Sequence, residues 1–262
     1  MQAYPLPAQS GFQWFKNALN LFKKAPLPLI LLGFVFQYTT YLSMLFGPFT
    51  LIVLHMITSL FIAVYYHAIH LVEQSQSAPL AQAFKAWRLQ TKTVPNLLLM
   101  GLLLGIVCSL LAVLCNPFAN IDFQYYAALL EKQATTFAEQ EQLAAQILSQ
   151  IDSAKLLLFF VLLHILYLLL CYAPILIYKH ALPFHKAIFF SIVAFTRNLL
   201  PFILLVVCLL VFGVLLSLVI TFCAKVISSP LLLLMLVQLL GLCFFAVLLC
   251  ALYSSYKGIF HA

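Results

Sequence analysis

Acidic residues are nearly missing from this chain: 6 Asp and Glu stand against 13 Lys and Arg in 262 residues, and charged side chains of both signs make up 7%. A soluble domain carries roughly 25% charged residues, so a chain this poor in charge could not cover a water-facing surface. Hydrophobic residues fill 65% of it and the mean hydropathy is +1.12. The apolar runs are continuous and do not alternate, which argues for membrane-spanning helices and against a barrel. Glycine is scarce, at 8 residues, which leaves little material for a phosphate-cradling loop. No P-loop, dinucleotide GxGxxG, lipase-type GxSxG or HExxH pattern occurs. With no catalytic set in view, the expectation is a protein without catalysis. The seven cysteines, Cys108, Cys115, Cys171, Cys208, Cys223, Cys243 and Cys250, lie in or beside apolar runs and form no CxxC pair. That argues against a disulfide framework or a zinc site and reads as small apolar packing residues. The first 24 residues hold no short apolar core with a small-residue cleavage site, so no cleaved signal peptide is expected.

What is present is a pattern repeated three times. A short basic amphipathic segment runs through a proline into a long apolar stretch, in FQWFKNALNLFKKAPLPLILL (12–32), LAQAFKAWRLQTKTVPNLLLMGLL (80–103) and FHKAIFFSIVAFTRNLLPFILLVV (184–207). Each apolar stretch is followed by a second. At about 20 apolar residues per crossing, six spans are expected, near 26–46, 48–71, 95–115, 155–178, 199–222 and 230–252. Phe46-Gly47-Pro48 makes a reversal between the first two, and Ser229-Pro230 opens the sixth as cap and first helical residue. The fold class is therefore an all-α integral membrane protein. Its six transmembrane helices form three hairpins, each preceded by an amphipathic elbow helix. The single domain, 1–262, holds elbow-hairpin units of about 10–71, 77–178 and 183–252 and a helical insertion at 116–154.

Charge orients the spans. Lys16, Lys23, Lys24, Lys85, Arg88, Lys92, Lys179, Lys186, Arg197 and Lys257 fall on one side. Lys132, Lys155 and Lys225 fall on the other, with Asp122, Glu131, Glu139, Glu141 and Asp152. The positive-inside rule puts both termini in the cytoplasm. The basic residues sit only at membrane edges, so no nucleic acid is expected as a partner.

In the elbows, Ser10 and Ser77 can cap helices. The expected apolar faces are Phe12, Phe15, Leu19 and Phe22; Leu80, Phe84 and Trp87; and Phe184, Ile188, Ile192 and Phe195. Such helices lie in the headgroup plane, which makes Lys16, Lys23, Lys24, Lys85, Arg88, Lys92, Lys186 and Arg197 candidate contacts for anionic lipid. Simple anchoring of the following hairpin explains the same charges. In the insertion, helix formers predict helices at about 121–134 and 137–151, the second opened by a Thr136–Glu139 capping box and continued by Leu143, Ile147 and Ile151. An alternative runs that second helix into the fourth span.

No Asp, Glu, Lys or Arg lies mid-span, which lowers the case for ion-coupled transport. Milder polar groups do: Gln37, His55, His164 and Gln238, all roughly 10–14 Å from the outer ends of their spans at 1.5 Å per residue. They form a candidate polar layer for a quinone, lipid headgroup or other polar small molecule, or they hydrogen-bond between helices. No cofactor is expected, although His55 and His164 are of the right kind to be axial ligands of a b-type haem. His67 and His70, beside Tyr65 and Tyr66, and His180 and His185 read as interfacial aromatic-belt residues, with a metal at the i, i+3 pair as the alternative.

The opening MQAYPLPAQSGFQWFKNALNLFKKAPLPLILL resembles the start of a family of uncharacterised proteobacterial six-span inner-membrane proteins. More loosely, the threefold unit is similar to the membrane domain attached to some glycerophosphodiester phosphodiesterases. Neither resemblance supplies catalytic residues, because the phosphodiesterase active site belongs to a soluble domain. The leading expectation is an accessory or organising membrane protein that binds lipid, a partner membrane protein or further copies of itself. The alternatives are a transporter or channel for a small apolar or amphiphilic substrate, and a haem- or quinone-binding redox subunit.

Overall fold

The computed structural model of the chain describes residues 2–74, 93–116, 119, 137–227 and 229–260. Among these the secondary structure is helical, with no strand: α1 (Ser10–Lys24), α2 (Pro26–Ser43), a 3₁₀ turn (Met44–Phe49), α3 (Thr50–Glu73), α4 (Val94–Cys115), α5 (Phe137–Ser149), α6 (Ser153–Leu170), α7 (Ala173–His180), α8 (Phe184–Arg197), α9 (Leu199–Val226) and α10 (Pro230–Phe260). Among the described residues five helical stretches are long and apolar enough to cross a membrane: Pro26–Glu73, Val94–Cys115, Ser153–His180, Leu199–Val226 and Pro230–Phe260. The chain is a multi-pass helical membrane protein. The expected elbow at 77–92, with Lys85, Arg88 and Lys92, and the expected helix at 121–134 lie outside the described residues.

The chain divides into two compact units, Met1–Gly105 with Leu168–Ala262, and Ile106–Tyr167. In the first, the stretch Pro26–Glu73 is broken at Gly47, whose φ of 53° lies in the left-handed region that glycine adopts without steric cost. Pro48 then denies the chain one backbone donor. On either side, Tyr65 hydrogen-bonds the Leu29 carbonyl, and the Phe36 and Phe61 rings lie 4.9 Å apart. As residue numbers rise along α2 they fall along α3, so the two helices run antiparallel.

Helix α4 reaches α3 through two glycines one turn apart. A Cβ on Gly101 would stand 2.5 Å from Met56 Cα, and one on Gly105 2.5 Å from Ile52 Cα. Gly101-x₃-Gly105 is thus a small-residue seam. Apolar helices in lipid gain little from the hydrophobic effect, so close backbone approach and dispersion carry their association.

Helix α1 packs on α9 and α10, and Phe15, Leu19 and Phe22 of the expected apolar face lie partly buried against the core. Gly11, Trp14, Ala18 and Leu21 are buried, while Phe12 is 54% exposed. The backbones come closest at Gly11, where a Cβ would sit 2.1 Å from Pro201 O. The smallest side chain sets the contact, and the larger ones take what remains. Ser10 does not cap this helix; it is its first residue, and no side chain bonds the N-terminus. In α8 the buried residues are Ala187, Ser191 and Ala194, with Phe184, Ile188 and Phe195 of the expected face partly buried against the core and Ile192 exposed.

The expected fourth span is interrupted at Cys171–Tyr172, between α6 and α7. Pro174 at the start of α7 cannot donate to the Leu170 carbonyl and its ring crowds it. Ser191 of α8 fills the gap: its hydroxyl donates to Leu169 O at 2.7 Å and accepts from Tyr172 N–H at 3.1 Å. The broken turn recovers two of its backbone partners in this way.

In the second unit, α4 ends at Asn116, which takes a left-handed φ of 30°. Helix α5 stops at Ser149 and α6 starts afresh at Ser153, so the alternative of one continuous helix is not realised. The Asp152 carboxylate accepts from Lys155 N–H at 3.1 Å and pairs with Lys155 Nζ at 3.3 Å. The Lys155 backbone N–H holds the Asp152 carboxyl below its usual range. Leu143, Ile147 and Ile151 are all half-buried, in keeping with their four-residue spacing.

Candidate functional site

Two of the four polar residues expected to form a layer meet. Gln238 Nε2 of α10 donates to Gln37 Oε1 of α2, and Gln37 Nε2 donates to Tyr41 Oη at 3.0 Å. This amide pair lies in a groove of about 500 Å³ between α2 and α10, within the size range of small-molecule sites. Gly33 and Gly241 make the room, one from each helix. A Cβ on Gly241 would meet nothing within 4 Å, whereas one on Gly33 would just touch Leu242 and Phe245. Phe36 and Phe245 line the groove as a parallel stacked pair, 5.4 Å apart with an interplanar angle of 2°. Residues flanking the groove, Tyr38 on α2 and Leu234 on α10, are 56% and 64% exposed.

The two histidines are held differently. His55 is buried, its Nδ1 2.6 Å from Leu51 O on its own helix, and it does not line the groove. It lies where α4 crosses, since a Cβ on Gly101 would stand 2.6 Å from His55 O. His164 belongs to the second unit, exposed, with Nδ1 2.7 Å from Phe160 O. Each imidazole thus satisfies a backbone carbonyl one turn earlier.

Of the expected lipid contacts, Lys16, Lys23 and Lys24 on α1 and Lys186 and Arg197 on α8 are exposed. They stand on helices whose small-residue faces are buried, so the charges point away from the packed side. Arg197 also donates to Ala3 O at 3.2 Å.

One cluster went largely unread in the sequence. Three helix ends are laced pairwise by histidine and tyrosine: His67 to Tyr178 joins α3 to α7 at 3.1 Å, His70 to Tyr253 joins α3 to α10 at 3.1 Å, and His180 to Tyr256 joins α7 to α10 at 2.7 Å. Tyr253 donates to Glu73 at 2.7 Å, so its oxygen accepts from His70 Nδ1–H, and His70 Nε2 accepts from Gln74 at 3.1 Å. Glu73 also holds Lys257 Nζ at 2.8 Å through both oxygens. The i, i+3 spacing of His67 and His70 was a signal, but it reads as a metal pair until the tyrosines from other helices are seen. Among the described residues no group of three or more His, Cys, Asp or Glu is placed to hold a metal.

Asn198, fully buried between α8 and α9, was also missed. Its amide accepts from Leu6 N at 2.9 Å and donates to Tyr4 O at 3.0 Å and Ala194 O at 2.9 Å. With Tyr4 N bonded to Ile259 O at 3.0 Å, it ties the segment before α1 to two distant helices. No protein-family model, curated protein or solved structure matches this chain.

Proposed function

We propose that this chain is an accessory or organising protein of a bacterial inner membrane that works by binding a membrane lipid. The observation that carries the reading is the groove between α2 and α10, where an amide pair sits among apolar and aromatic walls at the depth of the spanning helices. A site that opens beside exposed apolar faces is filled from the bilayer itself, where lipid is the abundant ligand. The outward lysines of α1 and α8 favour a surface of anionic lipid, at about 1 kcal/mol per basic group near the membrane.

The proposed architecture is six spans in three elbow-launched hairpins. Pro26–Glu73 has 48 residues, which at 1.5 Å each is more than twice the roughly 30 Å of a hydrocarbon core. Its break at Gly47 and the antiparallel course of α2 and α3 favour two crossings. Both termini then fall on the cytoplasmic side.

Purification in a mild detergent, followed by mass spectrometry of all that co-elutes, tests the proposal. We expect lipid retained in stoichiometric amount by the wild type. Delipidated protein that retains nothing, lipid or protein, would sink the reading.

A further inference from the structure

We infer that the α2–α10 groove selects an uncharged lipid through a carbonyl oxygen, a membrane quinone or a neutral glyceride ester; the inference rests on the lipid-binding reading above. Three features of the groove converge on that class.

The first is charge. No residue lining the groove is ionisable in the neutral range, and its polar groups are amides and hydroxyls. An ionic headgroup placed there would find no counter-charge and would lose its water.

The second is depth. Gln37 stands six residues before the end of α2 at Ser43, and Gln238 eight after the start of α10 at Pro230. At 1.5 Å per residue that is roughly 9 and 12 Å inside the helix ends. A phospholipid keeps its charged head at the interface, above this level, whereas a neutral lipid dissolves at it.

The third is the count of donors. Gln238 uses one N–H on Gln37, and Gln37 one on Tyr41. Each amide carries a second N–H, and Tyr41 carries its own O–H. Three donors from two helices thus belong to the lining of the groove, against one amide oxygen, that of Gln238, left over as an acceptor, and the excess of donors suits an acceptor. A carbonyl accepts without bringing a donor of its own. Beside it, the parallel Phe36 and Phe245 rings offer a flat wall for a planar or apolar body.

Glycine makes the test clean. Because a Cβ on Gly241 meets nothing within 4 Å and Gly241 lines the groove, Gly241→Leu puts its side chain into the groove, and leucine favours the helix over glycine. The full chain is titrated in detergent with four probes: a decyl-tailed benzoquinone, dioctanoylglycerol, dioctanoyl phosphatidylglycerol and dodecane. Binding is read from the rise in melting temperature with probe concentration. We expect the quinone or the glyceride to bind at least tenfold tighter than the other two, and the tighter of that pair identifies the source. Q37L/Q238L should weaken that binding at least tenfold. G241L should abolish it while melting no lower than the wild type. Equal binding of dodecane, tighter binding of the phospholipid, or a G241L variant that binds like wild type would overturn the inference and leave lipid binding intact. A chain that responds to no probe and retains no lipid on purification overturns both.

Discussion

Gly101, Gly105 and Gly11 are placed by what cannot be there. At each, an added Cβ would meet backbone at 2.1–2.5 Å, so a larger residue must separate two helices. We expect Gly101→Leu to prevent α4 from seating on α3, read as loss of monodisperse protein on gel filtration, whereas Gly241→Leu leaves the profile unchanged. Asn198 acts oppositely, by what it supplies. Asn198→Ala orphans Leu6 N–H and Tyr4 O, and a buried unsatisfied group costs about 1–3 kcal/mol. The expected results are a lower melting temperature in detergent and faster proteolysis within residues 2–8. Unchanged proteolysis would show that the segment is held by other contacts.

At the scale of elements, small residues mark the close contacts of α1 and α8. Helices α1 and α8 bury Gly11, Ala18, Ala187, Ser191 and Ala194 together with the larger Trp14 and Leu21, and leave their other apolar side chains partly open. Ranking residues by hydrophobicity therefore finds part of the contact and overlooks its small residues, which permit close approach of the helices. Ser191 shows the cost of mistaking it for a spacer. Ser191→Val removes the partner of both Tyr172 N–H and Leu169 O, and we expect roughly 1–3 kcal/mol of destabilisation. Ser191→Thr, which keeps the hydroxyl, should restore part of it. The paired loss and rescue, measured by thermal unfolding, separate the hydrogen bonds from mere volume. Asp152 marks the remaining junction. Its carboxyl lies below the usual range, so its support of the start of α6 is present above that range and lost as pH falls through the lowered value. Amide exchange at Lys155 should accelerate on acidification, and exchange independent of pH after correction for intrinsic rates would refute the cap.

At the scale of the whole molecule, the number of crossings decides where the ends lie. Counting Pro26–Glu73 as one crossing gives five and puts the termini on opposite sides, whereas two crossings give six and put them on one. We expect a C-terminal green fluorescent protein fusion to fluoresce, and alkaline phosphatase placed within 116–154 to be active. A green fluorescent protein fused to the N-terminus should fluoresce as well, and termini that read on opposite sides would refute the six-span arrangement. The expected polar layer also belongs to this scale. Gln37 and Gln238 were found by depth alone, since depth is linear in residue number along a helix. Their pairing depends on which helices are neighbours, and α2 and α10 are about 200 residues apart in sequence.

Composition and the run of apolar residues determined by themselves that this protein is helical and embedded in a membrane, because a bilayer demands about 20 apolar residues per crossing and rejects charge. The reversal at Gly47-Pro48 and the position of most helix starts were legible for the same reason: they depend on local backbone chemistry. Which faces pack was decided only by the tertiary structure. Nearly every face of these helices is apolar, so periodicity carries little information, and the choice falls to close approach at glycine, alanine and serine. The same holds for the His–Tyr lacing of α3, α7 and α10, for Asn198 and for the groove at Gly33 and Gly241. Each is a meeting of residues from helices far apart in the chain, and no spacing within one helix encodes it.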